Sequence, residues 1–290
     1  EEYLHFLKPF ELLESRGDKI GDKILSYSKE KFIPNRVKHF VNRCDLVFTP
    51  TETMKGYLLQ SGAESKIEIL PTGLEDEYFD LNGNESKEIR NTYIGDNKYL
   101  FCTVSRLSKE KNLHFFIDGL LELKNKIGDC FNTMVIGDGP LKKELEERVQ
   151  RLGLHNNVTF IGKVDNKKIK DYYGACDLFL FSSKSETQGI VLLEAMASKL
   201  PVVEVKASGV MDVVKNDVNG YMTTENKEYW AKRILDIIMN NNLRLKLKDG
   251  AFRTSKEYSN SKIAKLALHY YEEVILECYR RGQEYAFKIG

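Results

Sequence analysis

Glu186 and Glu194 bracket the stretch of this chain whose residue types and spacing best suit chemistry, Ser185-Glu-Thr-Gln-Gly-Ile-Val-Leu-Leu-Glu194. It joins the end of an apolar, strand-like run to the start of a helix. In a parallel sheet, ligands bind at the carboxyl ends of strands, and a helix N-terminus there offers unpaired N–H groups to an anion. Gly189 at the junction lets the backbone approach a phosphate with no Cβ in the way. Glu186, just before the turn, is placed to grip sugar hydroxyls, and Glu194, one or two turns into the helix, would face the same cleft. Carboxylates that accept from hydroxyls beside a helix end that holds phosphates fit a polyhydroxylated ligand carrying a diphosphate. A plainer reading stays open on chemistry alone. In it, Glu186 is an N-terminal acid favoured by the helix dipole and Glu194 is a solvated face residue.

A second stretch, Ser105-Arg-Leu-Ser-Lys-Glu-Lys-Asn112, puts Arg106 and Lys111 around a loop ahead of a helix, at the same sheet edge. Two cations there would neutralise a leaving diphosphate; an ordinary exposed basic loop has the same pattern. The glycines of Ile136-Gly-Asp-Gly-Pro140 read first as permission for a tight turn. Neither G-x-G-x-x-G nor a Walker sequence is present, so a dinucleotide or ATP site has no support. The histidines (His5, His39, His114, His155, His269) show no metal spacing, and none is assigned a catalytic role. The cysteines (Cys44, Cys102, Cys130, Cys176, Cys278) are odd in number, scattered and free of C-x-x-C, which argues against a disulfide framework or zinc site and suits a reducing compartment. Cys102, in an apolar run, reads as a small core residue.

The elements that must position these residues follow from hydrophobic patterning. From Tyr99 onward, short runs of near-continuous apolarity (99–105, 132–137, 158–162, 177–182 and 201–205) alternate with helical stretches (112–126, 141–152, 167–173 and 189–198). Runs apolar on both faces, separated by helices and tight loops, predict an α/β fold with a parallel, doubly wound sheet. The polar segment 82–97 reads as a linker. Upstream, strands at 45–49 and 66–70 and a helix at 52–60 are too few to close a core, so residues 1–82 read as part of a larger unit. A nucleotide-binding domain is expected over 98–258, with a long C-terminal helix around 263–281. The chain of 290 residues carries a net charge of +1, so no global field draws it to nucleic acid. No apolar run is long enough to span a bilayer as a helix.

As an ordered set, these pieces resemble glycosyltransferase family 4. The matching parts are Ser105–Asn112, Ile136-Gly-Asp-Gly-Pro140, Val158-Thr-Phe-Ile-Gly162, the E-x7-E pair Glu186 and Glu194, Ala195-Met-Ala-Ser198, Leu200-Pro-Val-Val203 and Gly220. The resemblance implies a GT-B fold and transfer of a hexose from a UDP-sugar, UDP-glucose in the first instance, with retained anomeric configuration and no metal in the site. It also implies roles. Arg106 and Lys111 would contact the donor diphosphate, Glu186 the donor sugar, the backbone of Thr187, Gln188, Gly189, Ile190 and Val191 the phosphates, and Glu194 the ribose hydroxyls, with Gly162 in the same donor-binding set. Lys199 stands where the family usually has Gly.

Ser185-Glu-Thr-Gln-Gly189, Asn42-Arg-Cys-Asp-Leu-Val47, Pro50-Thr-Glu52 and Leu70-Pro-Thr-Gly73 look most like the diacylglycerol glucosyltransferases within that family. By that resemblance, Glu1–His5 follows a stretch of roughly a hundred residues that would complete an acceptor domain. Between Lys19 and Arg43, seven cations against two acids are interleaved with Ile24, Leu25, Phe32, Ile33, Val37, Phe40 and Val41. Such a surface suits anionic lipid headgroups, and ordinary surface helices share the pattern. The expectation is therefore a peripheral enzyme at the cytoplasmic face of the membrane that acts on a lipid such as diacylglycerol. Two competitors stand beside it: a saccharide acceptor in capsule or exopolysaccharide synthesis, and a non-catalytic nucleotide-sugar-binding module.

Overall fold

The structure, a computed structural model, describes residues 36–80 and 83–289. These fall into two compact units, one of residues up to 48 with 55–68, the other of 49–54 with 69–290. The smaller unit holds a helical turn over 36–41 and most of the paired strands β1 (Leu46–Thr49) and β2 (Lys66–Ile69) and of helix α1 (Glu52–Gln60). Its core is slight: Val41, Ala63 and Ile67, with Val37, Val47 and Leu58 against them. Most of the basic segment Lys19–Arg43, like Glu1–His5, lies outside the described residues.

The larger unit is built on a six-stranded sheet of β3 (Tyr99–Val104), β4 (Phe131–Ile136), β5 (Val158–Gly162), β6 (Leu178–Phe181), β7 (Val202–Val205) and β8 (Gly220–Thr223). Their order is β5-β4-β3-β6-β7-β8 and every pairing is parallel. The central strands are buried on both faces because they are largely apolar; Leu100, Phe101 and Cys102 are all fully buried in succession. One face packs on helices α3 (Leu113–Ile127) and α4 (Lys142–Arg151) and on α7 (Lys227–Met239), with Trp230 at its centre. The other packs on α2 (Gly83–Ile94), α5 (Asn166–Ala175), α6 (Ile190–Ala197) and α8 (Asn241–Glu257). Strand order reverses between β3 and β6. That is the topological switch point, where the loops after adjacent strands diverge and leave a crevice.

One expectation is corrected here. The polar stretch expected as a linker folds as α2, held by Arg90, which donates to Asp177 at 2.9 Å and to the carbonyl of Ala175 at 2.7 Å. Its polarity is that of a helix with one solvated face, on which Asn, Glu and Lys are at home. The chain between β7 and the C-terminal helix, unassigned from sequence, supplies edge strand β8 and helices α7 and α8. The C-terminal helix itself, α9, runs Asn260–Ile289 and starts from a backbone exchange in which Leu74 donates to Tyr258 and Asn260 donates to Leu74.

Candidate active site

The loops after β3 and β6 meet at the switch point, and hydrogen bonds tie them together. Ser182 donates through its hydroxyl to the carbonyl of Lys111 at 2.8 Å, and the backbone N–H of Lys184 donates to the carbonyl of Glu110 at 2.9 Å. A short 3-10 turn over Lys109–Lys111 ends at Asn112 in the left-handed region and aims Lys111 across the gap. The result is a direct pair in which Lys111 Nζ lies 2.6 Å from Glu186 Oε1, with only 19 % and 14 % of the two side chains exposed. Arg106, on the same loop, is exposed.

The glycines of the β4 turn have a structural reason. A Cβ on Gly137 would sit 1.9 Å from the carbonyl oxygen of Ser105, and one on Gly139 would sit 2.4 Å from that of Leu107. These glycines let the β4 turn lie flush against the loop that carries Arg106. Backbone bonds from Leu107 to Asp138 and from Leu141 to Leu107 fasten it there.

Beyond Glu186, Thr187 is exposed, Gln188 and Gly189 are buried, and Ile190 and Val191 are half-buried. Gly189 is in the left-handed region (φ 70°) as the N-cap of α6, and no side chain caps the helix. The first N–H groups of α6 are thus left to the backbone and to whatever binds there. The Gln188 side chain both accepts from the N–H of Thr72 (2.7 Å) and donates to its carbonyl (3.0 Å), so only its backbone remains for a ligand. Gly162 closes β5 with φ 83° and accepts from the N–H of Gly137.

Glu194 is half-buried and accepts from the Tyr173 hydroxyl at 3.0 Å, with Tyr78 a second donor. Burial raises its carboxyl above the usual range, the two tyrosines pull it back, and Glu75 pushes it up. It lines a cleft of about 280 Å³ with Thr72, Glu75, Tyr78, Lys167, Lys170 and Ile190. The structure therefore brings Lys111 and Glu186 into contact and gives Glu194 its own cleft on α6. Glu75, Glu77, Glu194 and Tyr78 around that cleft offer acceptors and a donor to a polyhydroxylated ligand, and the cations of the β3 loop stand at the same end of the sheet.

Sequence reasoning missed two residues. Gly209 packs against the turn from behind: a Cβ there would lie 2.2 Å from the carbonyl oxygen of Glu186. Glu204 on β7 is fully buried, and among the described residues neither carboxylate oxygen has a hydrogen-bond partner. Burial raises its carboxyl well above the usual range, and the charge of Glu186 adds to the shift. The available signal was an acid in mid-strand, Val202-Val-Glu-Val205, where alternation and continuous burial both leave no room for a charge.

The parallel sheet order and the carboxylate and cation loops at its switch point define the class, a GT-B glycosyltransferase fold. The chain belongs to the family described as glycosyl transferases group 1, whose model matches residues 84–254. It is 29 % identical over 207 residues to an alpha-monoglucosyldiacylglycerol synthase of Streptococcus pneumoniae, a match covering 70 % of this chain and 43 % of that protein. It is 24 % identical over 258 residues to an alpha-monoglucosyldiacylglycerol synthase of Acholeplasma laidlawii, covering 84 % of this chain and 64 % of that one. The chain thus spans about half the length of the curated relatives it matches. Among solved structures it is similar to Anabaena Alr3699/HepE in complex with UDP and glucose, with a TM-score of 0.76 at 24 % identity over 84 % of this chain and 67 % of that one.

Proposed function

We propose that this chain carries the donor site of a retaining hexosyltransferase that moves a hexose, glucose in the first instance, from a UDP-sugar to a membrane lipid such as diacylglycerol. The observation that carries the reading is the half-buried Lys111–Glu186 contact between the loops after β3 and β6. Lys111 and the exposed Arg106 would neutralise the diphosphate as the glycosidic bond to it breaks, which is the main electrostatic demand of such a transfer. Glu186 would accept from sugar hydroxyls, the uncapped N-terminus of α6 would hold phosphate oxygens through backbone N–H groups, and Glu194 would accept from the ribose.

The names of the curated relatives support the lipid acceptor, and the UDP complexes of Anabaena Alr3699/HepE support the donor class. The basic amphipathic segment from Lys19 to Arg43 supports peripheral placement at the cytoplasmic face of a membrane. Among the described residues, no helix is long and apolar enough to cross one.

Calorimetric titration with UDP and UDP-glucose, beside the Glu194→Ala variant, tests the donor site. The expected result is saturable UDP binding that weakens about tenfold in the variant, the loss of one to two hydrogen bonds to a charged acceptor. A folded chain that binds neither ligand would overturn the assignment.

A further inference from the structure

The amino end of β6, at the opposite end of the sheet from the candidate active site, gathers more cations than its one acid can match. That acid is Asp177, which directly precedes β6 and is already engaged. Its Oδ2 accepts from the backbone N–H of Leu100 at 3.0 Å and from the Arg90 guanidinium at 2.9 Å. Arg244 on α8 approaches the same carboxylate, but its Nη1 stops 4.0 Å from Oδ1, too far for a hydrogen bond.

Lys248 lies one turn further along α8, and the four-residue spacing of Arg244, Lys248 and Phe252 puts all three on one face. Contacts at the two ends of this row show where that face points. Arg244 approaches Asp177, and the Lys199 ammonium stands 5.1 Å from the Phe252 ring. Lys248 is thereby held between them. It is half-buried, and among the described residues its ammonium has no hydrogen-bond or ion-pair partner. Burial lowers it below the usual lysine range; Asp177 opposes that, while Arg244, Arg90 and Lys199 add to it. Three half-buried cations thus share one carboxylate, an excess of two positive charges, with the exposed Lys199 beside them. Cations that lose water without gaining a counter-charge are disfavoured.

We infer that Arg90, Arg244 and Lys248 form a binding site for a phosphate-class oxyanion, separate from the proposed donor site at the other end of the sheet. Both guanidiniums are held ready, Arg90 by its bonds to Ala175 and Asp177 and Arg244 by its bond to Asn241 at 3.0 Å. Their planar forks match phosphate oxygens, and Lys248 adds a point charge. A phosphate monoester carries about 1.5 to 2 negative charges near pH 7, which matches the excess. Chloride would cancel half of that excess and has no set of oxygens for the forks.

The test follows urea unfolding of the whole chain as inorganic phosphate replaces sodium chloride at constant ionic strength. Phosphate also stabilises folded proteins generally by exclusion from their surface, so the site is read from the difference between parent and variants. The parent should show a saturable rise in midpoint on top of that general effect. Lys248→Met removes the charge and keeps an unbranched side chain. Without phosphate it should be at least as stable as the parent, and its phosphate affinity should be lower by about tenfold, one hydrogen bond to a charged group. Arg244→Gln should weaken phosphate to a similar degree. A response to phosphate that is the same in the parent and both variants overturns the site, as does a parent with no saturable component. Lys248→Met that is less stable than the parent without phosphate also overturns it, since the ammonium would then be satisfied within the fold. Glycerol phosphate, a monoester like that of a lipid headgroup, is titrated beside the free ion. Tighter binding of the monoester assigns the site to a headgroup and tighter binding of inorganic phosphate assigns it to the free ion, provided that Lys248→Met weakens the preferred one.

Discussion

An ammonium and a carboxylate 2.6 Å apart, each less than one-fifth exposed, hold each other in place of solvent. For Lys111 and Glu186, this means that any anion reaching the site competes with a built-in carboxylate. It also means that removing Lys111 takes a close cation away from a carboxylate that is only 14 % exposed. Breaking a buried pair from one side costs about 3–5 kcal/mol, and the residual exposure of this pair brings the expectation down to about 2 kcal/mol. Lys111→Met should therefore destabilise the chain by about 2 kcal/mol in urea unfolding and weaken UDP binding by at least about tenfold. Adding Glu186→Gln should restore most of the stability, because the carboxylate that lost its close cation is gone, without restoring UDP binding. A double variant as unstable as the single would show that the pair is not the source of the loss.

The end of α6 shows how element boundaries answer to single residues. Leu200 donates to the carbonyl of Ala195 and Lys199 to that of Met196, the bond pattern of a Schellman motif, with Lys199 in the left-handed region at φ 59°. An L-residue there costs roughly 1–2 kcal/mol, which glycine avoids. The Lys199 ammonium lies 5.1 Å from the Phe252 ring, a contact that returns about 0.5 kcal/mol. Lys199→Gly should thus stabilise the chain by roughly 0.5 kcal/mol in the same unfolding assay, and a less stable variant would mean the αL position is not strained. Such junctions also set what was legible. The strands from β3 to β7 were readable to within a residue or so because Gly, Pro or polar residues bound their doubly apolar runs. The edge strand β8 was not, since Gly220-Tyr-Met-Thr223 is short, starts on glycine and lacks a second apolar flank. α2 was mistaken for a linker because Asn82-Gly-Asn84 signals a turn at its first residues, and its buried attachments, Arg90 to Asp177 and the Tyr93 carbonyl to Asn132, join residues far apart in sequence. The site was legible as loops and not as contacts. Arg106, Lys111 and Glu186 could be placed at one sheet edge from the β–α alternation, whereas the Lys111–Glu186 pairing depends on β3 and β6 being neighbours, which is a fact of strand order.

At the scale of the molecule, the proposed donor site would account for one half of a transfer and leaves the acceptor to be found. The segment from Lys19 to Arg43 is where the proposal for a lipid acceptor meets physics, with seven cations set among apolar residues. Near an anionic bilayer each cation contributes about 1 kcal/mol, and the attraction decays over a Debye length of about 8 Å at physiological salt. An enzyme that works on a soluble saccharide has no use for that attraction. Sedimentation with vesicles of mixed zwitterionic and anionic phospholipid separates the two cases. The chain should sediment with anionic vesicles at low salt, stay in solution with purely zwitterionic ones, and be released as salt is raised. Replacing Lys19, Lys23, Lys29 and Lys31 with Gln should weaken vesicle binding on the order of several hundredfold at low salt, four contributions of about 1 kcal/mol each. UDP binding, which the proposed function assigns to the loops after β3 and β6, should be unaffected by the same four changes. Indifference to anionic vesicles would favour a saccharide acceptor, while loss of UDP binding in the fourfold variant would mean that the basic segment serves the donor site and not a membrane.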